Sequence, residues 1–300
     1  DDMTAALTIN GNVSNSGILS LSGSAGGDLV LKGDFAQNGT FNHNSRLVTL
    51  SGSSDQTIST TGSSVGFGFL TINNASNDID PADDITVAND FTITAGELDL
   101  STHTATVTGT SDVNGTLTVS SGSFDANGTF DATGGNVTFS GAGRLELGGT
   151  VTSLGTFTGG GSSTVSYNGA STQTIDDFSA KSGPYDNLDL DGGGQKDLSG
   201  NTTVDGVLSW SADCDMTTNG HTLTIKQSPT GYNDNRVITG GSSTTVSVAY
   251  SSSSTSECFI PVGIDGSVRD ISITAASASA ETYTVVYTPD APVPIGWHHP

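Results

Sequence analysis

The stretch Gly52-Ser53-Ser54-Asp55-Gln56-Thr57-Ile58 returns as Gly169-Ala170-Ser171-Thr172-Gln173-Thr174-Ile175, displaced by 117 residues. Its surroundings return with it. Val48-Thr49-Leu50 matches Val165-Ser166-Tyr167 at 117, and Phe69-Leu70-Thr71-Ile72 matches Asn187-Leu188-Asp189-Leu190 at 118. Val87 with Phe91 matches Val204 with Leu208, and His103-Thr104-Ala105-Thr106-Val107 matches His221-Thr222-Leu223-Thr224-Ile225. Five matches in one order identify two related units of about 117 residues.

A shorter motif recurs inside the units. Asn-Gly-Thr followed by an apolar residue stands at Asn38–Phe41, Asn114–Leu117 and Asn127–Phe130, and degenerately at Leu154–Phe157. Asn-Gly predicts a positive φ in a tight turn, after which the β-branched Thr re-enters a strand. The spacing predicts strands of about three to five residues. Strands that short are poorly stabilised in hairpins but pair well above and below in stacked coils. The reading is therefore an all-β parallel β-helix, a β-solenoid, over residues 1–226. At about 20 residues per coil it has about eleven coils and a length on the order of 50 Å. Immunoglobulin-like sandwiches are the competing architecture, since they also use many short strands.

Composition agrees with an all-β chain. The 300 residues include 40 Gly and 85 Ser plus Thr, and only four of the 31 acids are Glu. Good helix formers are scarce, which excludes helical bundles, coiled coils and doubly wound α/β folds. Eight cations against 31 acids give a net charge of −23, which excludes nucleic-acid binding through the phosphate backbone. No apolar run is long enough for a membrane-spanning helix. Asp1-Asp2-Met3 has neither a basic nor an apolar leader region, as expected of a mature end or chain boundary with an export signal already removed. Cys214 and Cys258 are compatible with one disulfide in an oxidising compartment or with two separate thiols.

Read in order, Gly33-Asp34-Phe35-Ala36-Gln37-Asn38-Gly39-Thr40-Phe41, Val48-Thr49-Leu50-Ser51-Gly52, Gln56-Thr57-Ile58 and Leu70-Thr71-Ile72-Asn73-Asn74 resemble the Asn/Gly/Thr-rich repeats of large secreted surface proteins of the Bacteroidetes. Those repeats carry G-x-F-x-x-N-G-T-F, V-T-F-x-G, Q-T-I and L-x-I-N-N. The resemblance covers residues 7–225. Phe259-Ile260-Pro261-Val262-Gly263, with Val268-Arg269-Asp270-Ile271 after it, is similar to the F-P-V-G…R-P-V module that often follows such repeats, although Asp270 stands where Pro is usual. The resemblance implies type IX secretion and an extracellular or cell-surface location. It implies no shared enzyme activity.

Composition shifts near residue 226, and Ile271-Ser272-Ile273 and Tyr283-Thr284-Val285-Val286-Tyr287 alternate like half-buried antiparallel strands. Residues 227–300 are read as a small antiparallel β module, a sandwich or a cap on the last coil. An open edge there, near Ala291–Pro300, is a route to strand addition by another chain.

Candidate chemistry is sparse. The cations are spread along the chain without forming a groove for an acidic polysaccharide, and no nucleophile elbow, phosphate loop or zinc spacing is present. The chain is not expected to be an enzyme. Asp78, Asp80, Asp83 and Asp84, in a loop interrupted by Pro81, are the candidate ligands for a structural Ca²⁺, since hard oxygen ligands at that density suit the ion. Asp186, Asp189 and Asp191 form a weaker group, and Asp213 with Asp215 another. Aspartate is also simply a residue of turns. His103 and His221 occupy equivalent places, which implies a structural turn. His298 and His299 lack nearby partners. Thr102–Thr108 would line one strand face as in some ice-binding solenoids, but the spacing does not recur. Trp210 matches an apolar strand of the first unit, so it is read as core, and Trp297 is the only other tryptophan.

The expected function is structural: a rigid, acidic cell-surface stalk or filament subunit. Its expected partners are other copies or other surface components. A carbohydrate- or surface-binding adhesin is the alternative, and a polysaccharide-active β-helix enzyme the remote one.

Overall fold

A computed structural model describes residues 3–177, 183–240, 246–252, 256–264, 267–274 and 281–287. Lys181, Trp297, His298, His299 and the stretch Ala291–Pro300 lie outside the described residues. The described chain is all β, a parallel β-solenoid of about eleven turns with small antiparallel sheets at its C-terminal end. It contains no helix, and so none long and apolar enough to cross a membrane. At about 4.8 Å per turn the stack is on the order of 50 Å long.

Each coil contributes strands to three faces. The first face runs through Leu7–Ile9, Leu29–Leu31, Leu47–Leu50, the start of Phe69–Pro81 and the start of Phe91–Asp99, then Ser111–Val113, Phe130–Asp131 and Val151–Ser153. The second face includes Val13–Asn15, Phe35–Gln37, Gln56–Ser59, the ends of the same two long strands, Thr116–Thr118, Asn136–Thr138 and Thr156–Thr158. Phe69–Pro81 and Phe91–Asp99 pass through the corner and join both faces in one 14-stranded sheet. The third face runs from Ser64–Phe67 to Leu208–Trp210 in an eight-stranded sheet.

Alternation decides what each strand buries. On the first face Leu29, Val48, Leu70, Phe91, Ser111, Phe130 and Val151 stack in one inward column. On the third, Phe67, Val87, Val107, Ala126, Leu147, Tyr167, Leu190 and Trp210 do the same. Trp210 is therefore core, at 3% exposure. Large and small residues alternate where rings meet. Phe124 packs tilted on Phe91 at 5.7 Å and edge-on to Phe130 at 6.1 Å, and Ser111 stands between the two in the facing column.

Coil length and repeat length do not match. Neighbouring coils on the first face are 19 to 22 residues apart, so 117 residues amount to about five and two-thirds turns. Duplicated strands accordingly return on a different face. Leu47–Leu50 lies on the first face and its counterpart Thr164–Tyr167 on the third. The parallel stacking also runs past residue 226. Met216–Thr217 pairs with Ile238–Thr239, and Thr222–Ile225 with Val246–Ser252, before Ser267–Thr274 and Glu281–Tyr287 add antiparallel edges.

The Asn-Gly-Thr motifs serve a different purpose from the one their sequence predicts. None of Gly39, Gly115 and Gly128 has a positive φ. A Cβ there would instead overlap the carbonyl oxygens of Gly17, Gly96 and Gly109 in the preceding coil. Close stacking of coils, rather than turn handedness, requires glycine. Only the degenerate copy, Gly155, combines both constraints, with φ +67.

Two substitutions test this core. Phe124→Ala is expected to lower stability by about 3–5 kcal/mol, because the narrow interior cannot collapse onto the void. Ser111→Ala removes a buried hydroxyl that has no partner among the described residues, and should leave stability unchanged or raise it by up to about 1 kcal/mol. Urea unfolding midpoints measure both.

Candidate functional site

The four aspartates proposed from sequence are spread around a corner. Asp78 and Asp80 are on the strand Phe69–Pro81, not in a loop, and Pro81 ends it. They belong to an outward acidic row: Asp78 lies opposite Glu97 on the next coil, with Asp55 and Asp99 close by. Asp80 is exposed at the surface, yet partial desolvation of its carboxyl, then the like charges of Asp78, Asp99, Asp55 and Glu97, push its pKa up. Asp83 accepts a hydrogen bond from the Thr60 N–H at 2.8 Å, and Asp84 accepts one from the Thr104 N–H at 2.8 Å. Among the described residues no three His, Cys, Asp or Glu side chains are grouped as metal ligands.

Asp83 and Asp84 follow a rule that holds along the chain. Leu47 N–H donates to Asp28, Thr57 N–H to Asp34, Asp78 N–H to Asp55, Thr110 N–H to Asp90 and Leu154 N–H to Asp176, each pair 19 to 23 residues apart. Each carboxylate thus closes a backbone donor one coil away, at a corner where strand pairing has lapsed. One coil spacing is the reach of an Asp side chain, which favours Asp over Glu at these positions.

The repeated Gln of Gln-Thr-Ile is an internal brace. Gln56 is buried. Its Oε1 accepts from Gly52 N–H at 2.8 Å and from Asn74 Nδ2 at 3.2 Å, and its Nε2 donates to the Leu31 and Gly33 carbonyls at 3.3 and 2.6 Å. Gln173 repeats the arrangement. Its Oε1 accepts from Gly169 N–H at 2.8 Å, and its Nε2 donates to Leu147 and Gly149 carbonyls, both at 2.7 Å. The fourth partner differs. Lys196, fully buried on the coil above, donates from Nζ to Gln173 Oε1 and to the Gly169 carbonyl, both at 2.8 Å. Burial pulls the Lys196 pKa down. In the first unit Ile79 takes that place above Gln56.

A second buried charge sits on the outer side of the third face. Asp189, whose side chain is 5% exposed, accepts from Arg144 Nη2 at 2.6 Å, from Ser209 and Ser211 hydroxyls at 2.9 and 2.8 Å, and from Ser166 Oγ at 3.2 Å. Burial works to raise its pKa, but the guanidinium and the hydroxyls outweigh burial and hold the carboxyl below its usual value. Arg144 also pairs with Glu146 at 2.7 Å. Asp186 takes the Ser163 hydroxyl at 2.6 Å, Asp213 pairs with Arg236 at 2.7 Å and Asp215 accepts from Val237 N–H at 3.3 Å. These groups fasten coils to one another.

His103, His221, Cys214 and Cys258 are equally committed to structure. His103 N–H closes a turn on the Leu100 carbonyl and His221 N–H on that of Thr218, each after a left-handed residue, Ser101 or Asn219. Cys214 and Cys258 are separate buried thiols, and burial pushes Cys214 up to about 11, far from a reactive thiolate. Neither Lys196 nor the Arg144–Asp189 pair was singled out from sequence. A lone Lys or Arg carries no sign of burial, although the gap of four from Gly to Gln in both units does mark the brace.

Gln173→Ala is expected to lower stability by about 3 kcal/mol or more, since it leaves a buried N–H, two carbonyls and an ammonium short of partners. Lys196→Met, which restores an apolar side chain like Ile79, should change stability by less than about 1 kcal/mol. Arg144→Ala strands a buried carboxylate and should lower stability by about 2–3 kcal/mol at pH 7, allowing for the guanidinium's partial exposure. The depressed Asp189 pKa stabilises the fold above the ordinary carboxylate pKa, and that stabilisation is lost as pH falls through the lower folded value. In Arg144→Ala the penalty should therefore shrink in acid, where the carboxyl protonates, and Asp189→Asn in that background should recover part of it. Unfolding midpoints from pH 3 to 8 measure these effects. No known protein-family model, curated protein or solved structure matches this chain.

Proposed function

We propose that this chain is an extracellular structural protein, a rigid acidic spacer that serves as a cell-surface stalk or as a filament subunit, and that it has no catalytic role. The observation that carries the reading is the use made of its polar side chains. The buried Gln56, Gln173, Lys196 and Asp189 all hold one coil to another. Such side chains make a stack of short strands stiff along its axis and leave few groups positioned to act on a substrate. The surface charge supports the same reading, because a net charge of −23 opposes side-by-side association of strand edges. Calcium enters the proposal as counter-charge for the row Asp55, Asp78, Asp80, Glu97 and Asp99. Export by the type IX route is the proposal that follows from the order of the repeat motifs.

Electron microscopy of the purified chain, with millimolar Ca²⁺ and with chelator, tests it. Straight rods on the order of 50 Å, single or joined end to end, are expected in both conditions. Flexible or collapsed particles, or release of reducing ends from a panel of polysaccharides, would overturn the reading.

A further inference from the structure

The third face is interrupted. Its first two strands, Ile18–Ser20 and Thr40–Asn42, pair only with each other. The next strand of that face, Ser64–Phe67, pairs only onward with Asp84–Val87. Between them, along Thr60–Gly66, lies a groove of about 550 Å³. That volume lies within the roughly 300–1,000 Å³ of ordinary ligand clefts.

The groove is lined by hydroxyls, amides and the rings of Phe41 and His43, with no Asp, Glu, Lys or Arg. Phe41 is half-buried against Phe35, Phe67 and His43, at 5.2, 6.2 and 6.3 Å between ring centres, so its ring is held in place. His43 Nδ1 accepts from the Ser45 N–H at 3.1 Å, which leaves Nε2 as the protonated nitrogen and a donor. Thr61, Ser63 and Ser64 supply hydroxyls on the opposite wall. Gln37 belongs to the buried base of this lining. It is 5% exposed, and its Oε1 accepts from Asn15 Nδ2 at 2.9 Å. Its Nε2 is buried and has no partner among the described residues, whereas the carboxamides of Gln56 and Gln173 are fully engaged. With no accessible surface, that Nε2 is out of reach of a ligand in the groove, so the polar contacts the groove offers are those of His43 and the hydroxyl wall.

We propose that this groove binds a neutral saccharide, with the apolar face of one sugar ring on Phe41 and its hydroxyls paired with His43 and the Thr61–Ser64 wall. Neutrality follows from the lining: a cation would find no carboxylate there, and an anionic sugar no counter-charge on a strongly acidic chain. This inference is independent of the stalk reading and adds a binding activity to it.

Saturation-transfer NMR with neutral disaccharides of glucose, galactose, mannose and N-acetylglucosamine tests the proposal on the whole chain. At least one disaccharide should bind at millimolar concentration or tighter. Binding should weaken at least tenfold in His43→Ala and in Ser63→Trp, which fills the groove, and should be unchanged in Thr158→Trp, on the outside of the second face. Circular dichroism and rod images of each variant separate loss of binding from loss of fold, so that failure of the stalk reading is visible independently. Absence of binding by every disaccharide, or full binding by folded Ser63→Trp, would overturn the proposal. Binding of an extended peptide in place of sugar would overturn it too, assigning the open strand edges to strand addition.

Discussion

A coil in this protein has one place to send its backbone hydrogen bonds, the coil about 4.8 Å above or below it. Along the strands that demand is met by parallel pairing. At the corners the pairing lapses, and each exposed N–H or carbonyl needs a partner within the same short axial reach. Asp28, Asp34, Asp84 and Asp90 supply it for donors on the following coil, and Asp83 and Asp176 for donors on the preceding one. The buried carboxamides of Gln56 and Gln173 do more, since each joins a glycine N–H of its own coil to two carbonyls of the coil before it.

The composition follows from that reach. A carboxylate on one methylene spans a coil spacing with little rotamer entropy lost, whereas Glu overshoots and must fold back. The aspartates that satisfy corner donors also accumulate charge on the outside, so the acidity of the chain is in part a consequence of its folding. Asp80 shows the limit. With Asp78, Asp99, Asp55 and Glu97 around it, its carboxyl ionises less readily than a free one. Glycine is governed by the same geometry, because at Gly39, Gly115 and Gly128 the preceding coil's carbonyl occupies the space of a side chain.

The proposed functions rest on the continuity of the stack and on the gap in its third face. Continuous stacking supplies stiffness, and polar groups that elsewhere would mark active sites are absorbed by it. Lys196 is a buried amine with a lowered pKa, a pattern often found in catalytic lysines, yet both its partners are structural. The interruption between Thr40–Asn42 and Ser64–Phe67 is the contrasting case, where strand edges are left open.

Much of the fold was legible because the sequence repeats its constraints. Short apolar strands at intervals near 20 residues, punctuated by Gly, Asn and Asp, determined an all-β solenoid and its number of turns. The apolar match of Trp210 determined its place in the core. Other features depended on which coils come to lie together. About two-thirds of a turn beyond five coils carries the second unit onto a different face, and no local pattern records that rotation. Asp78 and Asp80 were read with Asp83 and Asp84 as one cluster because they are neighbours in sequence, but the corner after Pro81 leaves Asp78 and Asp80 on the second face and puts Asp84 on the third. The partners of Asp189, Arg144 and Ser209, come from coils below and above. The sequence by itself determined the period and composition of the coil, which local sterics and burial impose on every turn. Tertiary structure alone decided which polar groups meet across coils and where the third face opens, because those contacts join residues about 20 or more positions apart through the axial register.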